Sequence, residues 1–337
     1  MIFRPHKFGK LLFTFSLLLI IVGGGVFVFT KDFSSGQKIK HGVTFSSKYA
    51  QELELDWRQA YLAILDDLNV THLRLATYWD DIEVIRDEFN FADLDWQINE
   101  AAKRDIDIIL VVGRRTPRWP ECHDPQWLTT LTAAEIRQEH LDFVQEAINR
   151  YKGQPAIKFW QVENEPLFRW FGECPPPDKD FLVQEVALVK SLDDRKIIIT
   201  DSGEVNHWQG AGSVADILGV TLYRIVWNPS LGFWDYFFVP PAYYRYKADI
   251  TEFFHNNLEK VIVVELQMEP WTTGRKMIEL TLEEQKRSFD LTRFKNNISY
   301  VEKTGFTEVY SWGVEYWYWL KEQGHQDIWE EAKKLWQ

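Results

Sequence analysis

The sequence predicts an α/β fold, a (β/α)8 barrel beginning near residue 40 and preceded by one apolar N-terminal segment. Three observations carry this expectation. Eight short runs rich in Ile, Val and Leu alternate with amphipathic segments from residue 40 to the end of the 337-residue chain. Most of those runs lack a polar face, which is how strands buried on both sides of a parallel sheet read. The long connections, at 113–131, 166–179, 224–240 and 267–281, all follow the C-terminal end of a run.

The strand candidates, in order, are 41–46, 70–77, 107–113, 156–162, 196–201, 216–223, 260–266 and 306–312. Between them, 133–151 is the clearest helix. Its apolar positions Ile136, Leu141, Phe143, Val144, Ala147, Ile148 and Tyr151 fall along one helical face. Further helices are predicted over 56–68, 92–104, 180–192, 241–258, 282–297 and 326–336, with a short one near 207–215. A doubly wound open sheet is the alternative architecture. It would bring a glycine-rich phosphate loop after the first strand, whereas the segment there, SSKYAQELELDW, has no glycine.

Residues 11–30 carry no charge and are long enough to span a bilayer as a helix. Arg4, Lys7 and Lys10 precede them, which places the N-terminus in the cytoplasm and the rest outside. The expected organisation is a stub and signal anchor over 1–30, a flexible linker over 31–39 and a catalytic domain over 40–337. Glycines 23–25 leave a second option, secretion after cleavage of a signal peptide. A net charge of −12 argues against a nucleic-acid partner, which needs a basic face. The two cysteines, Cys122 and Cys174, lie in loops after consecutive strands. Outside the cytoplasm that arrangement favours a disulfide between neighbouring loops, the alternative being two free thiols.

The chemistry concentrates in two places. An apolar run ends in Trp160-Gln161-Val162-Glu163-Asn164-Glu165-Pro166, and a second, Val261-Ile262-Val263-Val264, ends in Glu265. Two glutamates at the ends of facing barrel strands are the groups that cleave a glycosidic bond with retention. One carboxyl is protonated and donates to the leaving oxygen, and the other is ionised and attacks the anomeric carbon. Glu165 takes the first role and Glu265 the second, with the Asn164 amide available to a sugar hydroxyl. Sixteen Trp and thirteen Tyr exceed what an ordinary core needs and suit a groove in which rings stack on sugars. The loop residues Trp119, Trp127, Trp170, Trp227, Trp234 and Trp271 are the candidates, some of them as rim cover only.

WQVENEP on the fourth strand and VIVVELQ on the seventh resemble the clan A glycoside hydrolases, a group of retaining barrel enzymes that includes xylanases, cellulases and β-galactosidases. The resemblance covers residues 40–337 in strand order and is specific at these two motifs only. It implies Glu165 as acid/base and Glu265 as nucleophile. It further implies that Arg74 holds the nucleophile ionised, that Tyr223 hydrogen-bonds it, and that Trp312 is the platform beneath the cleaved sugar. Core packing is the plain alternative for Tyr223 and Trp312.

Several residues depart from the pattern. Strict alternation aims Glu163 the same way as Glu165, unless a bulge intervenes, so it is either a second acid or a partner of a buried arginine. Glu269 is a loop rival to Glu265. Arg114 and Arg115 stand where related barrels carry a His, suited to a charged substrate or to pairing with Glu163 or Asp201. Asp201 and Glu204 sit on the correct rim without an assigned role, and His41 reads as a core histidine. No HExxH, clustered CxxC, EF-hand, Walker or GxSxG pattern occurs, so no metal or cofactor is expected. The reading is a membrane-anchored retaining β-glycosidase acting on carbohydrate outside the cytoplasm. A non-catalytic glycan-binding barrel and a transglycosylase are the alternatives.

Overall fold

The structure, a computed structural model, describes residues 28–34, 36 and 38–337. Eight strands close into one parallel barrel: β1 (Lys40–Thr44), β2 (His72–Ala76), β3 (Asp107–Val112), β4 (Ile157–Val162), β5 (Ile197–Asp201), β6 (Ile217–Leu222), β7 (Lys260–Gln267) and β8 (Glu308–Trp312). Each strand pairs with its sequence neighbours, and β8 returns to β1. The eight predicted runs coincide with these strands to within two residues at either end.

The barrel interior is layered. Ile109, Ile198, Ile217, Ile262, Val264 and Tyr310, with Phe159 against them, fill the lower part. Tyr310 crosses towards β1 where Gly42 leaves room, since a Cβ there would lie 2.5 Å from the ring. One pleat higher the inward positions turn polar: Thr44, Arg74, Gln161 and Thr200 are all buried. The apolar layer therefore seals the floor of a polar mouth formed by the strand C-termini. The larger core lies outside the strands, between them and the helices, and includes Leu73, Trp160, Val263 and Trp317.

The helices Trp57–Asp66, Ala92–Ala102, Ala133–Tyr151, Lys179–Leu192 and Pro241–Phe254 occupy predicted segments. Thr132 opens the third of these through a reciprocal cap with Glu135. The expected helix over 282–297 is instead broken into Leu282–Gln285 and Leu291–Glu302. Asp290 caps the second piece by accepting the Arg293 N–H, and Ser288 Oγ accepts the Trp271 N–H from a loop above the barrel. These side-chain bonds compete with helix continuation. The last predicted helix is Asp327–Ala332 followed by a tighter turn, Lys333–Trp336. Helix Val314–Glu322 was not anticipated. Its first seven residues are buried, so no polar stripe reveals a helical period. The long connection after β6 contains a hairpin, Ile225–Asn228 paired with Gly232–Asp235.

The apolar run 11–30 falls almost entirely outside the described residues. No described helix is long and apolar enough to cross a membrane. The expected linker is not free along its length. Phe33 packs edge-on to Tyr246 at 5.3 Å, and its N–H donates to Lys303 O just before β8. The chain thus joins the barrel at the end opposite the strand C-termini.

Candidate active site

Glu165 and Glu265 line one cavity of about 390 Å³ at the C-terminal mouth of the barrel. Plain strand alternation does not aim Glu265 there. On β7, Ile262 and Val264 face the interior, so the next residue should face out. The pairing with β6 slips at this point: Val220 opposes Val263, but Thr221 opposes Glu265. This bulge turns Glu265 into the mouth. At the end of β4, Glu163 (φ 60°) and Glu165 (φ 45°) both adopt left-handed backbone. The Glu165 N–H donates to Thr200 Oγ1 at 2.7 Å, which fixes the turn against β5.

That turn separates the two glutamates. Glu163 faces away from the cavity and accepts the backbone N–H groups of Arg114 and Arg115, each at 2.7 Å. Gly113 (φ 124°) permits the approach, because a Cβ there would lie 2.3 Å from Glu163 Oε1. Glu163 is therefore neither a second acid in the cavity nor the partner of a guanidinium. The Arg114 side chain pairs with Asp124. The Arg115 side chain lies 3.8 Å from Glu121 and donates to Phe168 O and Phe171 O. Neither arginine pairs with Asp201.

Glu265 is held by two donors. Arg74 Nη1 donates to Oε1 at 2.8 Å and the Tyr223 hydroxyl to Oε2 at 2.9 Å. Burial, followed by the nearby Glu265 charge, pushes the Tyr223 hydroxyl well above its ordinary pKa, so it stays a donor. Arg74 is fully buried and its other bonds go to Gln161, Thr44 and Asn164. Glu165 has no such cation. Burial first, then the charges of Glu265 and Glu121, raise its pKa well above the carboxylate range. The two carboxyls thus occupy opposite environments.

Asn164 also makes contacts within the protein. Its oxygen accepts from Arg74 at 2.6 Å, and one of the two N–H bonds of its Nδ2 donates to Glu121 at 2.9 Å. Trp312 lines the cavity, but the guanidinium of Arg118 lies 4.1 Å from its ring centroid. Arg118 is clamped between Trp312 and Tyr49 and pairs with Glu269 and Glu315. Glu269 faces the cavity through this pair and is not held as Glu265 is. Glu204 also lines the cavity, accepting from the Tyr223 N–H and the Tyr244 hydroxyl, and burial pushes its pKa up to about 7. Asp201 turns to Asn206 and the Ser202 N–H.

Of the loop aromatics, Trp119, Trp170, Trp227 and Trp271 line the cavity. Trp127 packs on Trp79 and donates to Glu83 O, and Trp234 lies on the hairpin against Phe238. Gln267 pins that hairpin by accepting the Arg224 and Ile225 N–H groups and donating to Ile225 O. Cys122 and Cys174 are joined by a disulfide with a Cα–Cα distance of 5.3 Å. It ties the connection carrying Arg118, Trp119 and Glu121 to the one carrying Phe168, Trp170 and Phe171.

No protein-family model and no curated protein sequence matches the chain. Solved structures do. GH5_18 from Bifidobacterium longum subsp. longum, in complex with Manβ1-4GlcNAc, aligns with a TM-score of 0.61 at 13% identity, over 88% of this chain and 78% of that one. Xylanase 10B from Thermotoga petrophila gives 0.52 at 15% identity, over 84% of each chain. The cold-adapted β-galactosidase from Rahnella sp. gives 0.58 at 12% identity, over 91% of this chain and 57% of that one. Of the β-galactosidases it matches, this chain spans little more than half the length. Its fold is that of the clan A glycoside hydrolases.

Within this barrel, sequence reasoning missed Glu121 and Arg118. Both lie in the long connection after β3, where no strand register fixes which side chains turn inward. Both have left-handed backbone, at φ 73° and φ 89°, and both are buried. The available signal was the run Arg114-Arg115-Thr116-Pro117-Arg118-Trp119-Pro120-Glu121, dense in charge beside the paired Cys122.

Proposed function

We propose that the protein is a retaining β-glycosidase, with Glu165 as acid/base and Glu265 as nucleophile. One observation carries this reading: two carboxyls at the ends of β4 and β7 open onto one aromatic-lined cavity, Glu265 paired with a buried guanidinium and Glu165 with its pKa raised by burial. In the first step Glu265 attacks the anomeric carbon while Glu165 donates its proton to the leaving oxygen. Transfer of that proton leaves Glu165 ionised. In the second step it accepts a proton from water, which displaces Glu265 and releases the sugar. Arg74 and Tyr223 orient Glu265 through one hydrogen bond to each of its oxygens, and the Thr200 bond fixes the turn that presents Glu165.

Two independent features support an extracytoplasmic location. Residues 11–30 suit a signal anchor, and a disulfide persists in an oxidising compartment. Our reading is a barrel outside the cytoplasm, anchored through its N-terminal segment. A panel of chromogenic β-glycosides and soluble polysaccharides tests the activity. Glu265→Ala is expected to abolish turnover, and azide to restore it with production of a glycosyl azide. Full activity in that variant, or binding without cleavage across the panel, would refute the assignment.

A further inference from the structure

We propose that His140, Glu163 and Glu185 form a binding site for a divalent metal ion of the zinc class, behind the strand that presents Glu165. The three side chains come from different elements: helix Ala133–Tyr151, the end of β4 and helix Lys179–Leu192. All are buried, and one oxygen or nitrogen of each lies within 4.8 Å of the other two. His140 Nε2 is 3.0 Å from Glu163 Oε1 and 3.2 Å from Glu185 Oε1. Four-coordinate zinc, with bonds of about 2.0–2.2 Å, holds its ligand atoms about 3.3–3.5 Å apart.

The hydrogen bonding points to a positive centre at this spot. The Arg114 N–H donates at 2.9 Å to His140 Nε2 and at 2.7 Å to Glu163 Oε1, so one donor serves two of the three groups. Glu185 Oε1 is buried and has no hydrogen-bond partner. Two carboxylate oxygens and an imidazole nitrogen this close need a positive charge among them, which either a metal ion or a proton on His140 Nε2 or Glu185 supplies. The nearby arginines do not supply the charge, since Arg114 pairs with Asp124, Arg115 with Glu121 and Arg137 with Asp178. The His140 ring is set in place by stacking on Trp79 and by contact with Phe181. A cavity of about 130 Å³ adjoins the group, bounded by the Cys122–Cys174 pair and Pro175–Pro177, and gives a metal room for water ligands.

One imidazole and two carboxylates favour zinc and its neighbours over calcium or magnesium, which prefer oxygen throughout. Protons are the rival occupants. Burial, and then the Glu163 charge, raise the pKa of Glu185, so a protonated Glu185 facing Glu163 would satisfy the same contact. A metal ion instead binds two helices to the end of β4 and locks Glu163, two residues before Glu165. This departs from the sequence reading, which expected no metal, because the ligands are scattered over three elements in no recognised spacing.

The test is titration of the chelator-treated protein with zinc chloride by calorimetry, with thermal melting alongside. One equivalent is expected to bind, raising the melting temperature, and Glu185→Gln and His140→Asn are each expected to weaken binding at least tenfold. Cobalt(II) bound to the wild-type protein is expected to show visible absorption bands of a site with low coordination number. If a variant fails to fold, the wild-type stoichiometry and cobalt spectrum decide alone. Absence of zinc binding, a featureless cobalt spectrum, or unaltered zinc affinity in folded variants overturns the proposal and leaves the protonated pair in its place.

Discussion

Glu165 stands without a cation while Glu265 has Arg74, and this difference makes the pH behaviour predictable residue by residue. A carboxyl whose pKa is raised is active as an acid only below that pKa, so turnover falls as pH rises through it. Glu165→Gln is expected to remove this alkaline limb. It should also lower kcat/KM by about 10²–10⁴ on glycosides with poor leaving groups, and less on nitrophenyl glycosides, which leave without a proton. Glu121 offers a sharper test. Burial first, and then the Glu265 charge, push its pKa up to about 8 against the opposing effects of Arg115, Asn164 and Arg74. Where Glu121 is ionised, its charge in turn raises Glu165. Glu121→Gln is therefore expected to move the alkaline limb to lower pH while activity persists, as read in a kcat/KM profile. A limb that stays in place would show that Glu121 does not act on the acid.

At the level of elements, irregularities turn Glu265 into the mouth and Glu163 out of it. The bulge on β7 and the left-handed pair on β4 override the alternation that the strands would otherwise impose. The sequence showed where these strands end and that Glu165 and Glu265 end them. It left open which way Glu163 turns, because a positive φ on a non-glycine residue has no local sequence signature. Gly113 is the hinge of this arrangement. Gly113→Ala meets both an unfavourable φ and the Glu163 carboxylate, and is expected to cost about 2–4 kcal/mol in urea denaturation. It should also lower activity by shifting the strand end that carries Glu165. A near-wild-type stability would mean that Glu163 can withdraw from the Arg114 and Arg115 amides without loss.

For the whole molecule, the disulfide has the widest reach. It closes a loop across a sequence separation of 52 residues and joins two loops that wall the cavity. Restricting the unfolded chain over that length contributes about 4 kcal/mol at most, with about 2–4 kcal/mol typical. The double variant Cys122→Ser, Cys174→Ser is expected to melt at a lower temperature, with a calorimetric loss in that range. KM should rise more than kcat falls, since the loops carry the rings and Glu165 stays on the barrel. An unchanged melting temperature would assign the barrel alone the full stability.

The sequence by itself determined the order of eight strands, the placement of most helices and the two strand ends that carry the carboxyls. Those features are periodic or local, and hydrophobic patterning reports them directly. Only the tertiary structure decided that Asn164 bonds to Arg74 and Glu121, that Arg118 lies over Trp312, and that His140 meets Glu163 and Glu185. These contacts join residues distant in sequence through loops and packed helices. Their geometry depends on barrel closure, which no window of neighbouring residues encodes.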